Sequence, residues 1–424
     1  MKIGIGQIRR IVGEGEASGG QVCGPDLVGA VMAGAELTQT RGRDVEGDDG
    51  KPGAPEGHGD GQAHVSQTDY GNAAFRHIQA LNLFASLKQL GSASAHQRLR
   101  SPRTVNRPTP NDRTLNMPNG SKTAIVISSD ANYFDLLMGT VRSLRERAPE
   151  LDADLCILDV GLTADQVAVL KDMAALVVTA GWDFDFPGRD HTPGYFKAMV
   201  SRPYLPNHFP GYDIYMWIDS DAWVQDASVI SLFLDAAAGG ELAIVPEIDR
   251  GYTAHYKRPR PYWRRPSHRM YRWAYGWKVA DRLGRNPILN SGAFALRGDA
   301  PHWRLWQTAL KTALCRWRLR PGIRDLYGRI SEQTALNYVV FGDKAPATFL
   351  PAYCNWLCGH GTLKFDPTRR LFVEPHAPHQ PLGIVHLAGD DVQNRVFDIA
   401  QTDGGSISTG LTYPDVVSLI APLG

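Results

Sequence analysis

A mostly parallel α/β sheet with helices on both faces is the fold class this sequence predicts, and three observations carry it. From residue 123 onward, short apolar runs of strand length alternate with stretches whose apolar residues recur at helical spacing. The composition is 43% hydrophobic and 21% charged, with a formal net charge of +1 over 424 residues, the balance of a globular protein with one large or two ordinary domains. The apolar run YMWIDSDAWV (215–224) breaks at two aspartates one residue apart, and sheets of this class bind ligands at the carboxyl ends of their strands.

The chain divides near residue 117. Residues 1–116 are rich in Gly, Asp, Gln, Ser and Pro, as in VEGDDGKPGAPEGHGDGQ (45–62), and offer too little apolar surface to offset chain entropy, so a largely disordered tail is expected. Within it Phe75, Ile78, Leu81, Phe84 and Leu87, followed by Gly91, predict a helix over 72–90. Met117 is an alternative start, which would make the preceding segment an over-extended reading frame. Beyond it, TAIVIS (123–128) predicts a buried strand, and FDLLMGTVRSLRER (134–147) a helix with Leu137, Val141 and Leu144 on one face. ADLCILDV (153–160), TADQVAVLKDMA (163–174) with Thr163 as N-cap, and ALVVTA (175–180) repeat the alternation. The domain is expected to span 117–400, with 401–424 as a C-terminal extension.

In a strand, Asp219 and Asp221 would project to the same side, about 7 Å apart at their Cα atoms. Carboxylates that close repel one another. A cation between them resolves the conflict, and paired oxygen ligands together with phosphate suit Mg²⁺ or Mn²⁺ better than zinc. A capped strand end at the surface is the alternative that the pair alone leaves open. WDFDF (182–186) has the same spacing, yet no apolar strand leads into Asp183, which assigns it to a loop.

Seven stretches follow one another along the chain: IVISSDANY (125–133), SRPYLP (201–206), WIDSDAWV (217–224), LNSGAFAL (289–296), SEQTALN (331–337), FLPAYCNW (349–356) and VHLAGDD (385–391). In this order the sequence resembles the retaining glycosyltransferases of the galactosyltransferase and glycogenin type (family 8-like), which have the GT-A fold, over roughly 123–396. The resemblance implies a nucleotide-diphosphate sugar donor, UDP-linked, and Mn²⁺ or Mg²⁺ held by Asp219, Asp221 and His386. It places Ser128 in the donor-binding site, Asp130 and Asn132 at the base and ribose, Tyr133 stacked on the uracil, and Arg202 on the donor sugar and phosphate. Asn290 and Ser291 would line the donor sugar, beside a glycine that lets a ligand approach the backbone. Glu332 and Gln333, matching an acidic-Gln pair near the anomeric carbon, are the catalytic candidates, with glutamate where aspartate is commoner.

Each of these residues also has a plainer reading. Asp130 and Asn132 favour ordinary turns, Arg202 a surface ion pair, His386 a structural role, and Glu332 a dipole partner behind a Ser331 cap. The chain departs from the family after Gly389, where Val392, Gln393 and Asn394 replace lysine, proline and tryptophan. That lysine normally contacts the diphosphate, so Arg395 or another cation replaces it, or the donor is bound more weakly.

The segment HYKRPRPYWRRPSHRMYRWAYGWK (255–278) interleaves arginine with Trp and Tyr and is expected to form an acceptor-binding lid, with a packed loop of acid-paired arginines as the alternative. The stripe Trp303, Trp306, Leu310, Leu314 and Trp317 is expected to be core. Cys354, Cys358 and His360 lack a fourth zinc ligand nearby and read as buried thiols. Five irregularly spaced cysteines, no apolar signal core and no spanning-length apolar run predict free thiols and a cytoplasmic setting, with at most peripheral contact to the inner face of a membrane. The expected partners are a nucleotide-sugar donor and a glycan, lipid or protein acceptor. A catalytically weak sugar-nucleotide binding protein is the second function class, suggested by the missing lysine. Near-neutral charge argues against the third, a nucleic-acid-binding protein, and no nucleic acid is expected as partner.

Overall fold

The computed structural model describes residues 120–173, 175–253, 261–316 and 326–420. The tail and helix expected over 1–116 lie outside them. The first strand, β1 (Thr123–Ser129), is buried along its whole length because parallel neighbours flank it on both sides. Helix α1 (Phe134–Arg147) follows, with Leu137, Val141 and Leu144 buried, as their spacing predicts. Strand β2 (Asp154–Asp159), helix α2 (Ala164–Asp172) and strand β3 (Leu176–Thr179) continue the alternation. Thr163 caps α2 in a reciprocal box with Gln166.

After β4 (Ile214–Ile218) and β5 (Ala222–Val224) come α3 (Ser228–Ala238) and β6 (Leu242–Pro246). Residues 255–260 of the Arg/Trp segment lie outside the described residues; from Pro266 onward it is helical, and α4 (Pro266–Tyr275) and α5 (Trp277–Leu283) pack on each other through Met270, Tyr271, Ala280 and Leu283. Its proline-rich sequence hides the helix because Pro266 stands at the first helical position, where a missing N–H costs nothing. Then come β7 (Leu289–Arg297), α6 (His302–Cys315), α7 (Ser331–Phe341) and β8 (Ala347–Phe349).

These strands form one sheet in the order β3-β2-β1-β4-β7-β6-β8. Only β7 runs antiparallel to its neighbours, β4 and β6, so the sheet is mostly parallel, as expected. Period-two alternation gives it two apolar faces. Val126, Tyr215, Trp217, Phe294 and Leu296 face Trp303, Trp306 and Leu310 of α6, so the tryptophan stripe is core within the described residues. Ile127, Met216, Ile218 and Val245 face Leu137 and Val141 of α1 and Ile230 and Phe233 of α3.

A three-stranded sheet lies at the carboxyl end of β4. In it β10 (Ile384–His386) pairs antiparallel with β5 and parallel with β9 (Trp356–Leu357), which sets His386 opposite Ala222 and Leu357. A hairpin of β11 (Phe397–Ala400) and β12 (Ser406–Thr409) and helix α8 (Tyr413–Val416) complete this end. The 400/401 boundary falls inside that hairpin, and Leu411, Tyr413, Val416 and Ile420 are buried with Trp223 and Trp356. Trp223 Nε1 donates to the Leu411 carbonyl at 2.8 Å, and the Tyr413 hydroxyl to Glu146 at 2.5 Å.

Candidate functional site

Asp219 and Asp221 converge by a route that strand alternation does not describe. Strand β4 ends at Ile218, and the chain turns through Asp219, Ser220 and Asp221 before β5 starts, with the Ala222 N–H donating to the Asp219 carbonyl at 3.1 Å. The turn is anchored on both sides. The Asp219 N–H donates to the Gly292 carbonyl of β7, and the Leu387 N–H to the Asp221 carbonyl, each at 2.8 Å.

His386 completes a cluster: one ligand atom from each of Asp219, Asp221 and His386 lies within 4.8 Å of the others. In every member one polar atom is fixed by the protein and the other faces the cluster. Asp219 Oδ1 accepts from Trp217 Nε1 at 2.8 Å and from Arg202 Nη2, while Oδ2 stands 3.7 Å from His386 Nε2. Asp221 Oδ2 accepts from Gln393 Nε2 at 2.9 Å, while Oδ1 stands 3.3 Å from His386 Nε2.

The orientation of His386 follows from a chain of amides. The backbone N–H of Gly292 donates to Asn290 Oδ1 at 2.9 Å, which identifies that atom as the acceptor. Asn355 Nδ2 donates to the same oxygen at 2.9 Å, so Asn355 Oδ1 is the atom that faces His386 Nδ1 at 3.0 Å. Nδ1 therefore carries the proton in the neutral ring, and the Nε2 lone pair faces the carboxylates. At Gly292 a Cβ would collide with His386 Cε1 and Asp219 Oδ2, so the glycine makes room for the site's own side chains. The donor set, two carboxylates and an imidazole nitrogen, fits a divalent cation of the Mn²⁺ or Mg²⁺ class.

Burial pushes Asp221 up, but His386 and the Gln393 hydrogen bond outweigh it and hold this carboxyl below its ordinary value. Burial alone would lower His386; Asp221, and less strongly Asp219, raise it above the usual imidazole value.

Arg202 sits beside this cluster and is 3% exposed, so it is no surface ion pair. Its Nη1 donates to Ser291 Oγ at 2.9 Å and to Glu332 Oε2 at 3.0 Å, Nη2 reaches Asp219, and the guanidinium lies 4.7 Å over the Trp217 ring. Burial opposes its charge, but Asp219 and Glu332 together raise its pKa. Glu332, 1% exposed, is pushed up to about 7 by burial, with Asp219 acting in the same direction against the pull of Arg202. Gln333 Oε1 accepts from the Ser291 N–H at 3.1 Å. The Ser331 cap is not formed: Ile330 is the N-cap of α7, and Ser331 is its buried first residue. The glutamate beside Ser331 is drawn inward by Arg202, which overrides the capping preference of serine.

The first-strand residues form a separate group at the end of β1. Asp130 Oδ1 accepts from the Asn132 and Tyr133 N–H groups at 3.0 and 3.2 Å and caps a short 3₁₀ turn over 131–133. The Ser128 hydroxyl donates to the Leu158 carbonyl of β2 at 2.8 Å. Arg395 is exposed and lies 4.9 Å over Phe397, while Val392, at the family's lysine position, is buried. Asp183 lies in a loop, as expected, and accepts from Ser201 Oγ at 2.6 Å. Cys354 and Cys358 are buried thiols, each pushed up to about 12 by burial. Among the described residues no helix is long and apolar enough to cross a membrane.

Sequence reasoning assigned no site role to Asn355, Trp217 or Glu247, and it named Gln393 only as a departure from the family pattern. Glu247 is 7% exposed and accepts from Asn290 Nδ2 at 3.0 Å. Asn355 lies inside FLPAYCNW, but a lone Asn carries no spacing signal that points to a histidine in another strand.

No protein-family model matches the chain, and no curated protein matches its sequence. Several solved structures are similar to it at low identity. The galactosyltransferase LgtC in complex with donor and acceptor sugar analogs is 16% identical with a TM-score of 0.38, covering 64% of this chain and 90% of LgtC. The apo bifunctional glycosyltransferase WbbM is 16% identical with a TM-score of 0.40, covering 65% of this chain and 47% of WbbM. The apo glycosyltransferase GlyE of Streptococcus pneumoniae is 14% identical with a TM-score of 0.38, covering 68% of this chain and 57% of GlyE.

Proposed function

We propose that the chain is a GT-A-type glycosyltransferase that takes a sugar from a nucleotide-diphosphate donor, UDP-linked, and transfers it with retention to a glycan, lipid or protein acceptor. The observation that carries this reading is the meeting of Asp219, Asp221 and His386 with Arg202 and Glu332 at the carboxyl end of a central strand. Mn²⁺ or Mg²⁺ bound by the first three would neutralise charge on the departing diphosphate.

The other residues bind and orient. Arg202 supplies a fixed cation for a donor phosphate or sugar hydroxyl, and Ser291 and Asn290 line the sugar beside it. Among the described residues, Glu332 Oε1, Arg202 Nε and Ser331 Oγ are buried without a partner, a deficit that suits a polar ligand such as a sugar hydroxyl. Glu332 and Gln333 would then stand near the anomeric carbon, with Asp130, Asn132 and Tyr133 at the base. Gln393, bound to Asp221, would orient that carboxylate and leave Arg202 as the cation for the diphosphate.

UDP release from a panel of UDP-sugars, with Mn²⁺, with Mg²⁺ and with chelator, tests the reading. Release that requires both the metal and Asp221, and disappears in Asp221→Ala, is the expected result. Metal-dependent UDP binding without release from any donor would favour a sugar-nucleotide binding protein. No UDP binding would overturn the uridine assignment.

A further inference from the structure

The exposed face of α4 and α5 has a charge unlike the rest of the chain. Residues 261–285 carry seven Arg or Lys and one acid, Asp281, a balance of +6 within a total of +1, which leaves −5 for the other 399 residues. All seven cations are exposed. Arg265, Arg269 and Arg272 recur at helical spacing along one side of α4, and Lys278 and Arg282 share a side of α5. The opposite side of α4 packs against α6 and α7.

Trp263 and Trp277 stand among these cations, 56% and 57% exposed. The Arg272 guanidinium lies 4.7 Å over the Trp277 ring, and that of Arg285 lies 5.0 Å over Tyr262. Among the described residues, Asp281 is paired with His268 at 3.0 Å, and Asp343 is a carboxylate near Arg282.

We propose that this face docks on an anionic lipid bilayer. Arginine and lysine are drawn to the negative leaflet, and half-exposed tryptophans seat at headgroup depth. A single-stranded nucleic acid fits less well, because base stacking uses ring faces and an arginine already covers one face of each of Trp277 and Tyr262. The proposal does not rest on the sugar-transfer reading. It stands on the charge balance, the exposed tryptophans and the occupied ring faces.

Co-sedimentation of the full chain with phosphatidylcholine vesicles, with and without phosphatidylglycerol, tests it. The expected result is binding that needs the anionic lipid, weakens with salt, and falls roughly a hundredfold in the Arg265→Gln/Arg269→Gln/Arg272→Gln variant. Trp263→Ala/Trp277→Ala is expected to reduce the part of the binding that survives high salt. An unaltered melting temperature shows that each variant is folded, and Lys278→Gln/Arg282→Gln supplies an independent reduction from α5 should the α4 variant fail to fold. No sedimentation with anionic vesicles, equal binding to neutral ones, or full binding by folded variants would overturn the proposal. So would a single-stranded oligonucleotide that displaces the chain from the vesicles at equal charge concentration.

Discussion

The two sides of the site are held by different forces. On the Asp221–His386 side, neutral amides from Gln393 and Asn355 fix one atom of each residue and leave the other facing the cluster. On the Arg202–Glu332 side, near-complete burial forces the charges to satisfy one another, and the pair is held by mutual attraction at 3.0 Å. The first arrangement sets direction. The second tolerates no incomplete set, because a lone charge left in a dry interior has no compensation.

The largest expected effect breaks the second side. Arg202→Ala leaves Glu332 buried without its partner and is expected to cost roughly 3–5 kcal/mol in urea denaturation. Arg202→Lys should recover only part, because an ammonium cannot reach Ser291, Glu332 and Asp219 together. On the first side the loss should appear in metal binding. Gly292→Ala pushes a methyl group against His386 and Asp219, and a 10–100-fold drop in Mn²⁺ affinity by calorimetry is expected, on the order of what misplaced ligand support costs.

Asn355→Leu separates orientation from charge. It should weaken Mn²⁺ by about tenfold and convert part of the metal-free histidine signal from the Nδ1–H to the Nε2–H tautomer by ¹⁵N NMR. An unchanged tautomer would show that the amide chain does not orient the ring. The smallest effects concern protons. Metal binding needs neutral His386, whose pKa lies above the ordinary value, so Mn²⁺ affinity should fall as pH drops through neutrality, with proton release on binding. For Glu332 the pH effect falls on stability and not on metal binding. Its folded pKa is raised to about 7, so its contribution is full below the ordinary carboxyl value and is lost as pH rises through 7. Glu332→Gln should flatten that part of the stability profile and leave the remaining titrations in place.

The alternating sheet was legible because each strand and helix keeps its own period, and Thr163 stands where a cap is needed. The aspartate pair was legible by residue type but not by geometry, since a turn and not strand alternation joins the two. Arg202 could be named from its stretch, yet its burial depends on Glu332, more than a hundred residues away. Asn355 and Gln393 were illegible for a related reason. Their contacts are long-range hydrogen bonds, which leave no periodicity in the sequence. In the Arg/Trp segment, composition signalled charge and concealed the helices beneath it.

The contact of Trp223 with Leu411 and Tyr413 bears on the order in which the protein can mature during synthesis. Both aspartates and the histidine leave the ribosome before the residues that close the core behind β5. A nascent chain stopped short of residue 411 would hold all three residues of the cluster and lack the wall that seats Trp223. Translation must therefore pass residue 411 before the wall behind Trp223 is complete, and products terminated before it are expected to lose the packing around β5 despite an intact Asp219–Asp221 turn.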